Sequence, residues 1–404
     1  MDRAATRAAA DGVPVHARTR HGGCPLRCES RRSETFGRSL QRARRRGSMV
    51  TAVASDLGIL SEQELTVLPL DGVTSSWDEF VSRAEGSSFC HLAGWRDILS
   101  DVLGAECFFW VASDDAGQWQ GVLPLARVKS RIFGHYLVSL PFLNYGGPLG
   151  TSAACRRLVR EAVAEARRSR ADLLELRTRH GESVGLPVCS RKITVLLELP
   201  QTPEQLWQHT FSTKLRTKIR RVQKEPMETR FGADQQGPFY EVFAHNMRDL
   251  GTPVLPAAFF ERSATMFRDR VLFGAVYWEG QPIAAGCGFV WGDEFEMTWS
   301  SGLRQHGHRR PNLLLYSRFM EHLIERGVRV FNFGRSTPGS GPHEFKRQWG
   351  GRDVPLPWCQ HAPRGRTATP SSDDKAFAWG PRVWRWLPLP IANRLGPRLI
   401  RFLP

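Results

Sequence analysis

The order of predicted elements repeats along this chain. Two apolar runs, CFFWVAS and GVLPLARVKS, flank the polar turn DDAGQ and predict a hairpin ending at Ser130. A buried strand follows in YLVSLPFLNYGGPLG, closed by a Gly-Gly-Pro turn, then a helix over 152–170 and strands in ADLLELRT and KITVLLELP. The second half gives the same order in different letters: a hairpin in VLFGAVYWEGQPIAAGCGFVW, a strand in EFEMTWSSG, a helix over 311–327 and a strand in VRVFNF. Proline near the start of that helix and glycine just past its end set its limits, and Leu314, Tyr316, Phe319, Met320, Leu323 and Ile324 give it an apolar face. Two copies of one α/β unit satisfy this order better than one large domain, and 404 residues suit two domains. The expected units are 60–200 and 201–365, with LTVLPL as a first strand and short helices over 76–85 and 92–103.

The flanks differ from these units. Residues 1–48 hold twelve Arg against four acidic residues, so they carry +8 of the chain's +16 with almost no apolar periodicity. They read as a disordered extension, and translation is expected to begin at Met49. Residues 366–404 form a basic Trp- and Pro-rich tail, RVWRWLPLPIANRLGPRLIRFLP, which either docks on the second unit or lies in short pieces on an anionic membrane through 380–404. No apolar run reaches the length of a membrane span, and no secretory signal is visible. The eight cysteines read as free thiols, and Cys24 and Cys28 lack a second pair at zinc-finger spacing, so no metal is expected. Arginine outnumbers lysine 49 to seven, and no aromatic–basic recognition motif accompanies it, so DNA is not an expected partner.

Between the units, HTFSTKLRTKIRRVQKEP predicts a helix with Phe211, Leu215, Ile219 and Val222 on one side. Lys214, Lys218 and Arg221 share the adjacent stripe, a candidate grip for phosphate or an ordinary solvated face.

The stretch FNFGRSTPGSGPHEFKRQWGG, 331–351, places one of the few lysines, Lys346, between Phe345 and Trp349 after a Gly/Ser/Pro loop. It is similar to the motif of FemAB-like acyltransferases, an acidic F-D-F-G-R-S loop followed by F-K-x-x-W-G. MRDLGTPVLP (247–256) and WLPLPIANRLGP (386–397) resemble the branch associated with exosortase and PEP-CTERM systems of exopolysaccharide-making bacteria. The resemblance, over roughly 60–404, implies two tandem GNAT-like domains and transfer of an acyl or aminoacyl group to an amine. Acyl-CoA or aminoacyl-tRNA would be the donor, tRNA then being a partner. The acceptor would be an amine-bearing cell-envelope or polysaccharide precursor, handled in the cytoplasm or at the inner face of its membrane.

Acyl transfer needs a base for the amine and a donor for the oxyanion. Lys346 is the expected oxyanion donor, a compact charge shielded by Phe345 and Trp349. Arg335 should face the cleft and bind phosphate or carboxylate bidentately. Gly334, Ser336 and Gly341 let backbone N–H groups approach a ligand. The base is open between His343 and Asp249, and Glu294, Glu296 and Thr298 alternate on a strand as a one-sided polar face that could look into the cleft. Asn332 stands where the family motif often has Asp, and it cannot take a proton. That departure keeps a second reading in play, a non-catalytic scaffold holding nucleotide-sugar or lipid-linked intermediates for polysaccharide export.

Overall fold

The computed structural model describes residues 64–403 except 73, 131, 180–183 and 364–378. The arginine-rich arm, with Cys24 and Cys28, and the start expected at Met49 lie outside the described residues. The described residues belong to one compact unit.

Thirteen strands among them form a single sheet. In chain order they are β1 (Thr66–Pro69), β2 (Glu106–Ser113), β3 (Trp119–Ser130), β4 (Gly134–Val138), β5 (Leu149–Gly150), β6 (Leu173–Leu176) and β7 (Val188–Glu198). The second half adds β8 (Met227–Phe231), β9 (Val271–Trp278), β10 (Gln281–Trp291), β11 (Glu294–Gly302), β12 (Val330–Asn332) and β13 (Arg352–His361). Across the sheet the order is β1-β2-β3-β4-β6-β13-β7-β12-β11-β10-β9-β8, with β5 on β3. The outer five strands on one side mirror the outer five on the other. In each half one pair is parallel, β4 with β6 and β11 with β12, because a helix crosses over between them.

The two middle strands are exchanged. β7 ends the first repeat but pairs with β12 of the second, and β13 ends the second but pairs with β6 of the first. The two also pair with each other, antiparallel, from Arg352↔Leu196 to Cys359↔Val188. The sequence of β7 suits this place, since Ile193, Thr194 and Val195 are buried in succession, as a strand covered on both faces requires. Residue 200 therefore falls after a strand that lies beside the second repeat.

Each half keeps its own core around its crossover helix, Ser152–Arg168 in the first and Pro311–Glu325 in the second, the latter joined by the basic helix Thr213–Val222. The six expected apolar positions of 311–325 are all buried, and so are Leu313, Leu315 and Ser317. A further core runs beneath both halves, where Phe89 stacks on Phe289 with ring centroids 4.4 Å apart.

One predicted element differs in a way that matters below. The run YLVSLPFLNYGGPLG is not a continuous strand: β4 ends at Val138, and Leu140 and Phe142 take positive φ (59° and 71°). Pro141 between them has no N–H to donate to a ladder. The chain leaves the sheet and carries Asn144 and Tyr145 toward the middle of the molecule. The six described cysteines are all unbridged.

The exchange predicts that residues 60–202 and 203–404 made separately will each lack a central strand. Neither should unfold cooperatively alone, whereas co-expressed halves should copurify and melt as one species. A cooperative transition in either half by itself would contradict this pairing's importance.

Candidate active site

β11 runs parallel to β12 with Glu294 opposite Val330 and Glu296 opposite Asn332. Residues two apart on a strand share a face, so both carboxylates point the same way. The loop after β4 and the segment after β6 meet them from the first half. Asn144 Nδ2 donates to Glu296 Oε1 at 2.6 Å, and Arg179 pairs with Glu294 Oε2. Asn332, fully buried, donates through Nδ2 to Glu294 Oε1 (2.8 Å) and to the Tyr145 hydroxyl (3.0 Å). Its Oδ1 accepts from Thr194 Oγ1 (2.5 Å) and from Gly334 N (2.9 Å). An aspartate here would set a second carboxylate against Glu294 with no donor to offer it. That is the physical reason for Asn332, whose role is to hold the site.

Glu296 is 2% exposed, and its Oε2 is buried with no hydrogen-bond partner. Burial, with the nearby Glu294 charge, pushes its carboxyl up to about 7, against smaller opposing effects of Asn144, Arg179 and Lys346. A carboxylate with a vacant oxygen and near-neutral affinity for a proton has the properties of a general base.

Lys346 lies on the short helix Gly341–Arg347 and is 9% exposed. Its Nζ donates to the carbonyls of Gly334 (2.9 Å) and Arg335 (3.0 Å), which fold the loop back on its own start. An ammonium has three protons, so one remains. Burial lowers its pKa to about 7, with the Glu296 charge opposing and Arg335 adding to the shift. Gly334 is required at the turn: its φ is +69°, and a Cβ would sit 2.7 Å from the Met297 carbonyl oxygen. Arg335 is solvent-exposed, yet burial among surrounding protein and the Arg177 charge pull its pKa down to about 10. At this pKa it stays charged near neutrality. Its guanidinium lies 5.4 Å from the ring centroid of Trp358, which Arg177 also covers at 4.7 Å.

The same short helix borders a second depression. A cavity of about 400 Å³ opens where β11 ends and helix Pro311–Glu325 begins, lined among others by Lys218, Arg304, Arg310, Asn312 and Phe345. Lys218, Arg304 and Arg310 make this depression electropositive beside the start of that helix. A concavity of about 910 Å³ lies in the first half, where Glu79, Glu85 and Arg83 are its charged residues and Arg83 pairs with Glu79. It offers no such grip on an anion.

The other expected site residues are placed as follows. Lys218 reaches the cationic depression and donates to Gln348 Oε1 at 3.0 Å, while Lys214 and Arg221 are exposed on the same helix and do not line it. Phe345 lines that depression, but neither it nor Trp349 stacks on the Lys346 ammonium. Trp349 is fully buried with Phe211, Tyr316 and Phe345, so the two rings anchor the helix that carries the lysine. Ser336 pairs its backbone with Ile193 and keeps a buried, unpartnered Oγ. Gly341 has open space around it, and capping of this helix falls to Ser340. His343 does not suit a base: Nδ1 faces the Gly339 N–H at 3.0 Å and Nε2 the Asp353 carboxylate at 3.1 Å, so both nitrogens are committed to the loop. Asp249 is also engaged elsewhere, with Arg248 at 2.8 Å and His245 at 3.6 Å; Arg248 in turn holds the tail through the Leu387 carbonyl.

Compared with protein families, residues 210–347 match the model described as "Acetyltransferase (GNAT) domain". The match begins just before the basic helix and ends one residue past Lys346, so it includes Glu296, Arg335 and all residues lining the cationic depression except Gln348. Among solved structures the chain resembles FemX with a TM-score of 0.56 at 12% identity, over 74% of this chain and 97% of that one. It also resembles a conserved protein of unknown function from Bacteroides thetaiotaomicron, with a TM-score of 0.51 at 10% identity, over 73% and 99% of the two chains. These likenesses are of fold. A search among curated proteins gives no match.

Sequence reasoning missed Arg304, Arg310, Arg179 and Asn144. The first two had a signal, a cluster of cations in RQHGHRR directly before a proline-started helix. The other two had none, since only the fold brings them within reach of β11.

The raised carboxyl of Glu296 has a consequence for stability. The folded state holds this proton more tightly than the unfolded one between the ordinary glutamate value of 4.5 and about 7, so stability falls as pH rises through that window. Glu296→Gln should abolish that decline. Denaturant titrations at pH 5 and pH 8 should show the parent losing up to about 3 kcal/mol more than the variant. Parallel losses in both proteins would contradict the assignment.

Proposed function

We propose that this protein transfers an acyl group from a CoA thioester to the amine of a cell-envelope or polysaccharide precursor. The observation that carries the reading is Glu296, a buried carboxylate with one unpartnered oxygen, close enough to Lys346 for their charges to interact. The depression formed by Lys218, Arg304, Arg310 and the start of helix Pro311–Glu325 would hold the donor's phosphates. Phe345 lines that depression and Lys346 follows it on the same short helix, so the donor's reactive end would lie beside the lysine.

In this mechanism Glu296 takes the proton of the acceptor amine. The nitrogen lone pair attacks the thioester carbonyl carbon, and the remaining N–H of Lys346 steadies the oxygen as it becomes negative. Collapse breaks the C–S bond, and the thiolate leaves with the proton relayed from the site. A positioned oxyanion donor of this kind contributes about 3–4 kcal/mol. Arg335 would orient an anionic part of the acceptor from the rim. With Glu296 as base, Asn332 no longer argues for a scaffold without activity. Aminoacyl-tRNA is the second donor reading, and it would present phosphates to the same cations.

Purified protein, acyl-CoA and aminoacyl-tRNA donors and a panel of amine acceptors, read by mass spectrometry, test the activity directly. Lys346→Ala should lower kcat about 10²–10³-fold, and Glu296→Gln about 10²-fold or more. The parent's kcat/KM should be bell-shaped around neutrality: ionisation of Glu296 gives the rise, and loss of the Lys346 proton gives the fall. Lys346→Arg should move the falling limb upward by more than a pH unit. Activity within a few-fold of the parent in both variants would remove these residues from the chemistry.

Lys218→Ala and Arg304→Ala should each raise KM for the phosphate-bearing donor about tenfold while leaving kcat nearly unchanged, since they bind ground and transition state alike. A fall in kcat at constant KM would contradict the phosphate assignment.

A further inference from the structure

The tail forms two helices, Trp379–Trp384 and Leu389–Ile400. In the second helix Ala392, Gly396 and Ile400, spaced four apart, are buried. The approach is close: a Cβ on Gly396 would meet the Val254 backbone nitrogen at 2.8 Å. The hinge between the helices is fixed by Arg248 donating to the Leu387 carbonyl (3.2 Å) and Arg385 to the Leu250 carbonyl (3.3 Å).

The adjoining ridge, Ile391, Leu395 and Leu399, is 46%, 38% and 37% exposed, and Val383 and Trp386, just before it in the chain, are 56% and 88% exposed. Arg394 and Arg398 run along its other flank at the same four-residue spacing, exposed. Residues 379–404 contain five arginines and no acidic residue. No helix among the described residues is long and apolar enough to cross a membrane.

We infer that this face lies flat on an anionic membrane surface, with the apolar ridge and Trp386 entering the headgroup boundary and the arginines pairing with lipid phosphates. Indole and leucine beside guanidinium suit that boundary, where one side is apolar and the other charged. Other occupants fit less well. The chain's own first 48 residues carry +8 and would be repelled by a basic face, and a second copy would set arginine against arginine. The docked ridge holds the helix in place beforehand, so little ordering is lost on contact.

The test is sedimentation of the full chain with phosphatidylcholine vesicles, with and without phosphatidylglycerol, at low and high salt. Binding should require the anionic lipid, weaken with salt, and fall roughly tenfold or more in Trp386→Ser/Leu395→Ser, whose side chains are exposed in the free protein. Arg394→Glu/Arg398→Glu should abolish the anionic preference. Melting curves and turnover of water-soluble substrates should be unchanged in both variants, which separates this result from the acyl-transfer reading. Equal binding to neutral vesicles, no binding, or unchanged binding in both variants would overturn the inference; the last would assign the attraction to the arginine-rich first residues. A concentration-dependent dimer that the Trp386→Ser/Leu395→Ser protein no longer forms would overturn it in favour of a second copy.

Discussion

The antiparallel pairing of β7 with β13 is the constraint on which the rest depends. Each strand closes the sheet of the other repeat, so the halves cannot separate without breaking ladders on both sides. The pairing also sets the distance between the loop after β4 and strand β11. Asn144, Tyr145, Arg179 and Thr194 of one half thereby become hydrogen-bond partners of Glu294, Glu296 and Asn332 of the other. The site is a product of the seam between the repeats.

At that seam several ionisable groups are held away from water at a cost that only their mutual hydrogen bonds offset. Glu294 is satisfied by Arg179 and Asn332, and Asn332 uses all of its capacity. Glu296 and Lys346 are the exceptions. One keeps a bare oxygen and the other a spare proton, and burial brings both pKa values to about 7. Incomplete satisfaction beside a fully satisfied network is what a site for proton transfer requires, because a saturated carboxylate has no place for the substrate's proton.

Much of this was legible in the letters where chemistry and geometry are local. The repeat of hairpin, strand, helix and strand, the apolar face of helix Pro311–Glu325 and the buried face of Thr213–Val222 all follow from periodicity. Lys346 stood out by rarity and by its loop. The polar alternation of Glu294, Glu296 and Thr298 marked the strand face that carries the candidate base. By contrast, His343 and Asp249 were plausible by residue type alone, and their partners, Asp353 and Arg248, commit them to the loop and the tail. The run after β4 read as strand because its apolar letters hide two positive-φ turns around Pro141.

The sequence by itself determined the elements, their repetition and the residue types able to move a proton, because backbone propensity and side-chain chemistry belong to each residue. Which of those residues meet, which carboxyl is left with a vacant oxygen, and that two like repeats trade their last strands were decided only in three dimensions. Burial, proton affinity and strand partnership are properties of the neighbours a residue acquires, and at this site Asn144, Tyr145, Arg179 and Thr194 come from segments more than a hundred positions from the residues they bond.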